Sequence, residues 1–144
     1  MSDERKELEE QVFKWVEVAE EDLILANHAF TLSSNIPYRL ICYHAQQCAE
    51  KYLKAFLVSR LIDFPYTHVI DDLTKLCPPE LDLMNTLASA FKLTNYAVVK
   101  RYPGEYKKVT KTDAVEAVKL AELTKRVIGE LLEKDGFHFF ERDQ

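Results

Sequence analysis

Tyr43-His-Ala-Gln-Gln-Cys-Ala-Glu-Lys-Tyr-Leu-Lys-Ala-Phe-Leu57 carries the pattern that decides the fold. On a helical projection, Ile41, Ala45, Cys48, Ala49, Tyr52, Ala55 and Phe56 make one apolar stripe, and Cys42, Leu53 and Leu57 make a second on another side. A helix that is apolar on two sides packs between others, so the segment from about 37 to 60 is read as the central member of a helical bundle. What remains is a narrow polar strip of Gln47, Lys51 and Lys54, spaced i, i+4, i+7 and therefore aligned. The strip has two readings: a solvated edge in which Glu50 and Lys54 pair at i, i+4, or part of a ligand-binding surface that includes Lys51 and Lys54.

Working outward, Leu8, Val12, Trp15, Val16, Ala19, Leu23, Ala26 and Phe30 form the stripe of a first helix over roughly 5–31. Ser33-Ser34-Asn35-Ile36-Pro37 then reverses the chain. Beyond the central helix, 63–68 reads as a loop and 69–76 as a short helix, and Pro78-Pro79-Glu80 opens a third long helix over roughly 79–100. Its stripe is Leu83, Leu87, Ala90, Phe91, Thr94, Ala97 and Val98, and Arg101 continues it at the angle of Leu83. Pro103 and Gly104 stop that helix, and Thr112-Asp113 supplies an N-cap and a first-turn acid for the last one. The last helix ends near 134, before Gly136, on a stripe running from Ala114 to Leu132. Phe137-His-Phe-Phe140 is left to pack on the body or on a second subunit. The expectation is an all-α fold, an up-and-down four-helix bundle with one short additional helix, in a single domain spanning 1–144 with its core at about 5–134 and an aromatic tail at 135–144.

Composition agrees with that class. The chain has 144 residues, 47% of them apolar and 30% charged, and only 3 glycines. No apolar run reaches the ~20 residues of a membrane span, and the charged opening lacks the apolar centre of a signal peptide, so a cytoplasmic protein without membrane contact is expected. Cys42, Cys48 and Cys77 contain no Cys-x-x-Cys pair, and His28, His44, His68 and His138 lack ligand spacing. Buried reduced thiols, structural histidines, no metal and no cofactor follow.

Charge is distributed unevenly. From Lys100 to Lys111 there are five cations (Lys100, Arg101, Lys107, Lys108, Lys111) and one anion (Glu105), a local charge of +4 in a chain of −5, which leaves −9 for all the rest. Such a reversal points to an anionic ligand, a nucleotide or RNA phosphate, with Arg101, Tyr106, Lys107 and Lys108 as its contacts and Lys51 and Lys54 as possible additions. The opposing reading is a solvated loop with Arg101 near a helix C-terminus, where a cation is favourable without any ligand.

Four stretches together resemble the HEPN domain (higher eukaryotes and prokaryotes nucleotide-binding). They are 15–26, the 43–57 helix with its Gln-Gln-x-Ala-Glu-Lys-x-Leu-Lys-Ala core, Thr67-His-Val-Ile-Asp-Asp-Leu73, and Arg101-Tyr-Pro-Gly104, in the family's order across most of 13–132. The resemblance implies a four- or five-helix bundle that commonly forms a homodimer, and in many members a partner, a minimal nucleotidyltransferase encoded beside it as a toxin-antitoxin pair. Toxic members are metal-independent ribonucleases, with an arginine followed after four to six residues by histidine at the start of the last long helix. Arg101 matches that arginine, but Glu105, Tyr106 and Lys107 stand where the histidine should.

Cleavage of RNA through its own 2′-hydroxyl needs proton transfer near neutral pH, which imidazole performs and a tyrosine, with an ordinary pKa near 10, does not. In one branch a tyrosine two positions beyond the histidine is nucleotidylated; here that position is Lys108, leaving Tyr102 or Tyr106 as substitutes. Three functions follow as expectations: a non-catalytic module binding nucleotide or RNA phosphate near a dimer cleft, an interaction subunit for a nucleotidyltransferase, or a ribonuclease in which Glu105 acts as base and Arg101 steadies the phosphorane.

Overall fold

A computed structural model describes residues 2–97 and 108–139. The fold is all-α, as the periodicity predicts. Helix α1 (Asp3–Ala29) is capped by Ser2, whose hydroxyl accepts from the Arg5 amide, and Asp3 and Glu4 sit at its positive end. It buries Val12, Val16, Ala19, Leu23 and Ala26 against α2 (Tyr38–Ser59). Phe30 meets Tyr38, Glu20 meets Tyr52 and Trp15 meets Lys54, so the two helices run antiparallel.

Helix α2 is the centre of the molecule, with Ile41, Cys42, Ala45, Cys48, Ala49, Tyr52, Leu53, Ala55, Phe56 and Leu57 all essentially inaccessible to water. Both of the stripes read in the sequence are therefore in the core. Helices α3 (Ile70–Lys75), α4 (Leu83–Thr86) and α5 (Lys111–Lys134) complete the bundle. Arg60, just past α2, reaches Asp135, just past α5, at 2.7 Å, while Arg5 at the start of α1 donates to the Asp135 carbonyl at 3.0 Å. Helix α5 thus runs parallel to α2 and antiparallel to α1. Of the aromatic tail, Phe137 and Phe139 pack back on the body: Arg5 lies over the Phe137 ring at 4.0 Å, and Phe139 meets Phe13 at 5.6 Å. Phe140 lies outside the described residues.

The third long helix differs from its expected form. In place of continuous α-helix there is a 3-10 turn (Pro79–Leu81), the single turn of α4, and a nine-residue 3-10 helix (Ala88–Tyr96). Asp82 interrupts the first pair with a left-handed backbone, φ 54°. The 3-10 spacing of three residues per turn then buries Leu87, Ala90 and Leu93, whereas Phe91 and Thr94 of the expected α-helical stripe are only partly covered. Thr94 instead accepts the Ile70 amide at 2.9 Å, capping the approach to α3. Arg101, which the sequence reading set at the angle of Leu83, lies outside the described residues.

The cap of the last helix also shifts by two residues. Thr110 is the N-cap: its hydroxyl accepts the Asp113 amide at 3.2 Å and Asp113 accepts the Thr110 amide at 2.9 Å, a reciprocal capping box that leaves Thr112 inside the first turn.

Helix α2 ends in a Schellman arrangement, the Ile62 amide donating to the Leu57 carbonyl at 2.9 Å and the Leu61 amide to that of Val58 at 3.0 Å. This places Leu61 at φ 59° with its side chain 80% exposed. A left-handed L-residue costs about 1–2 kcal/mol, and glycine gives back roughly 0.5–1 of that in unfolded-chain entropy. Leu61→Gly is expected to stabilise the protein by about 0.5–1 kcal/mol, a Tm rise of about 2–4 °C in a thermal melt; an unchanged or lower Tm shows that the turn is not strained.

Candidate functional site

Most of the polar strip of α2 is folded into the interior, Gln47 and Lys54 being buried and Lys51 partly covered. The Glu50 side chain is almost fully buried and takes three partners: Lys54 Nζ at 3.0 Å on Oε2, His68 Nδ1 at 2.8 Å on Oε1, and Gln46 Nε2 at 3.1 Å on Oε1. Gln46 also donates to the His68 carbonyl at 3.1 Å, and Gln47 donates to Gln46 Oε1 at 2.7 Å. Lys54 is 5% exposed, and its ammonium lies 5.6, 5.8 and 5.9 Å from the ring centres of Trp15, Phe64 and Tyr66. The i, i+4 pair read in the sequence is present, but as a buried pair rather than a solvated edge.

Burial of an ion pair is sustained only when the remaining lone pairs and protons are satisfied, and among the described residues every buried side-chain polar atom has a partner. The consequence is positional. Gln46, Glu50 and Lys54 hold α2 against the loop that carries Phe64, Tyr66 and His68, and that loop leads into α3.

Farther round α2, Lys51 Nζ donates to Asp22 Oδ2 at 2.6 Å and His44 Nδ1 pairs with Asp22 Oδ1 at 2.8 Å. Glu20 of α1 accepts from Tyr52 Oη and from Lys125 Nζ, both at 2.7 Å, joining α1, α2 and α5. Lys51 and Lys54, offered by the sequence as ligand contacts, are thus each held by a carboxylate. His44 and His68 are structural, and among the described residues no cluster of three or more His, Cys, Asp or Glu side chains could hold a metal.

Of the remaining sequence-predicted contacts, Lys108 is exposed, while Arg101, Glu105, Tyr106 and Lys107 lie outside the described residues. The chain on either side of them is anchored at one end of the bundle. Tyr96, the last residue of the 3-10 helix, stands near the Cys42 sulfur at the start of α2, and each, together with Asp113 in the first turn of α5, acts on the other's ionisation. The first turns of α5, with Lys111, Thr112, Val115, Glu116 and Lys119, line a shallow depression of about 500 Å³. No polar strip or charge count marked Cys42 and Tyr96, and the expected helices placed both inside an element rather than at its end.

Burial pushes the Cys42 thiol up from near 9 to about 11, with Asp113 adding to the rise, and pushes the Tyr96 hydroxyl up from near 10 to about 12. Burial likewise holds Cys77 at about 11 and raises Cys48 and Tyr52 further. A raised acid pKa means that the folded state keeps its proton longer than the unfolded chain does. This stabilisation is complete below about pH 8.5 and is lost as pH rises through about 11 to 12. Urea unfolding at a series of pH values should therefore show a falling midpoint from about pH 9 upward, and Cys42→Ser should flatten part of that fall; a midpoint level to pH 11 contradicts it.

The Glu50 network gives a second test. Glu50→Ala leaves Lys54 charged and unpaired in the interior and should cost about 3–5 kcal/mol, whereas Glu50→Leu combined with Lys54→Met should recover most of that loss. Equal destabilisation by single and double variants in urea melts would show that the pair is not the buried unit described.

With the bundle and its network in view, the chain can be set beside known proteins. The family model for the HEPN domain matches residues 12–131. A protein of Methanocaldococcus jannaschii named "Putative toxin MJ1304" is 31% identical over 136 residues, covering 83% of this chain and 87% of that protein. Two crystal structures are similar: TT1696 from Thermus thermophilus, with a TM-score of 0.73 and 29% identity, and ST0689, an archaeal HEPN homologue, with a TM-score of 0.62 and 31% identity. Each covers 83% of this chain, and the match spans 97% of either solved chain. A family match over most of the length, joined to the central helix that first suggested it, makes this chain a member of the HEPN domain family.

Proposed function

We propose that this HEPN domain binds a nucleotide or RNA phosphate, without cleaving it, through the 100–111 segment near a cleft between two copies of the chain. The observation that carries the reading is the charge reversal: +4 within that segment against −9 over the rest. Phosphate affinity comes from releasing counterions as cations approach, so concentrated positive charge on an acidic protein is where an anion is drawn. Arg101 offers a bidentate fork for phosphate oxygens, Lys107 and Lys108 offer point charges, and Tyr106 offers a hydroxyl donor. Lys51 and Lys54 contribute less, because Asp22 and Glu50 already take up their charge.

Two features of the described structure support the reading. The nearness of Tyr96 and Asp113 to Cys42 puts the chain leading into and out of the segment at one end of the bundle. Lys108 is exposed there, free of any ion pair among the described residues. The absence of imidazole at 105–107 argues for binding without turnover, since Glu105 would have to serve as base beside several cations that favour its ionised, weakly basic form.

A second reading, an interaction subunit for a minimal nucleotidyltransferase in a toxin-antitoxin-like pair, is favoured by the relative that carries toxin in its name. Co-expression with such an enzyme followed by size-exclusion chromatography separates the two readings, since the partner reading requires co-elution and the ligand reading does not.

Binding of fluorescent oligoribonucleotide and of ATP should be measured at two salt concentrations, for the wild type and for Arg101→Ala and a Lys107→Ala, Lys108→Ala double variant. The expected result is binding that weakens with salt, with a shallower salt slope and about tenfold or greater loss in the variants, and uncleaved RNA on a gel. No binding at low salt, or binding indifferent to salt, contradicts the proposal; cleavage by the wild type that Arg101→Ala abolishes would establish the ribonuclease instead.

A further inference from the structure

Helices α1 and α5 both pack on α2, and between them runs an open groove of about 930 Å³. Its floor is apolar, with Leu23, Leu132, Phe137 and Phe139 nearly buried, and Ile24 stands 67% exposed on the α1 rim. Gly129 lines the other side from the interior of α5, where glycine is the least favourable residue apart from proline. Its backbone is not left-handed, and a Cβ built on it would meet nothing within 4 Å. Neither conformation nor crowding inside the chain calls for glycine at this position. What a missing Cβ provides is room for another chain to lie close.

The charged lining decides what kind of chain. Lys125 donates to Glu20 across the groove at 2.7 Å, and Glu20 also accepts from Tyr52, so that pair is closed. The other charged groups are Glu122, Arg126, Glu130 and Glu133, all exposed on α5, and none makes an ion pair among the described residues. With Gly129 they fall within about 100° of the helix circumference. Arg126 stands at i, i+4 from both Glu122 and Glu130 and can neutralise one carboxylate of the three, which leaves this face at −2. His28 and His138, exposed on the same lining, are formally neutral at pH 7.

We propose that this groove receives an amphipathic helix of a different protein, about three turns long, apolar on one side and flanked by lysine or arginine. The length follows from the site, because Glu122 to Glu133 spans about 16 Å along α5. A helix laid lengthwise sets its apolar side over Ile24 and the floor, comes closest at Gly129, and brings its cations to Glu122, Glu130 and Glu133. An acidic helix or a nucleic acid would meet like charge on those three carboxylates. Gly129 lies about 27 Å along α5 from Lys111, so this docking neither requires nor blocks a phosphate at 100–111.

The test adds the full chain to a fluorescein-labelled leucine and lysine peptide of about 18 residues, patterned as an amphipathic helix, and follows its anisotropy. The lysine peptide should bind, more weakly as salt rises, and its counterpart with glutamate in place of lysine should not. Glu122→Gln, Glu130→Gln and Glu133→Gln together should weaken binding about tenfold or more. Glu7→Gln, Glu10→Gln and Glu17→Gln together remove the same charge from exposed positions of α1 outside the groove, and should change it by less than about twofold. Gly129→Leu should fill the groove and also cut binding about tenfold, with a Tm no lower than that of the wild type, since its side chain has space and leucine favours helix. No binding of the lysine peptide, equal binding of the glutamate peptide, equal losses from the two triple variants, or full binding by Gly129→Leu overturns the proposal.

Discussion

A single buried carboxylate organises this molecule. Glu50 lies in the middle of the central helix, where an unpaired charge would be expelled, and the fold surrounds it with an ammonium, an imidazole and an amide. Those partners come from α2 itself and from the loop before α3, so satisfying the carboxylate also fixes where that loop lies. Trp15 of α1 and Phe64 and Tyr66 of the loop then cover the Lys54 ammonium with ring faces, joining a third element to the same point.

From that point the chain is led to the candidate ligand end. His68 is followed by α3, whose first amide is taken by Thr94 of the 3-10 helix, and the 3-10 helix ends at Tyr96 against Cys42, one helical turn before Gln46 on α2. The basic segment therefore departs from, and α5 begins at, a surface braced by the central helix. Apolar burial supplies the stability, and the polar network selects this loop path among others.

The sequence revealed α1, α2 and α5 because each has a stripe long enough for a period near 3.6 to stand out; their ends were less legible, the N-cap of α5 being Thr110 rather than Thr112. Leu83 to Val98 misled because its apolar residues fit both periods: Leu87 and Ala90 belong to either, and only Leu93 and the left-handed Asp82 separate them. Gln47, Lys51 and Lys54 were legible as an aligned strip, but the burial of Gln47 and Lys54 was not. Asp22, which takes Lys51, and Phe64 and Tyr66, which cover Lys54, lie on another helix or on a loop, where periodicity carries no information. Thr67-His-Val-Ile was visible as a motif, and its reason, a histidine bonded to Glu50, required coordinates. The charge of the 100–111 segment was plain in the sequence.

Whether phosphate is held at the end of the bundle where α5 begins is tested most directly by following backbone amide resonances of the isotopically labelled protein while a short oligoribonucleotide is added. Shifts are expected to concentrate at Tyr96, Ala97 and Lys108 to Asp113, with the residues around Gly129 unmoved. Shifts centred on the α1 and α5 groove, or none at saturating RNA in low salt, would contradict phosphate binding at that end.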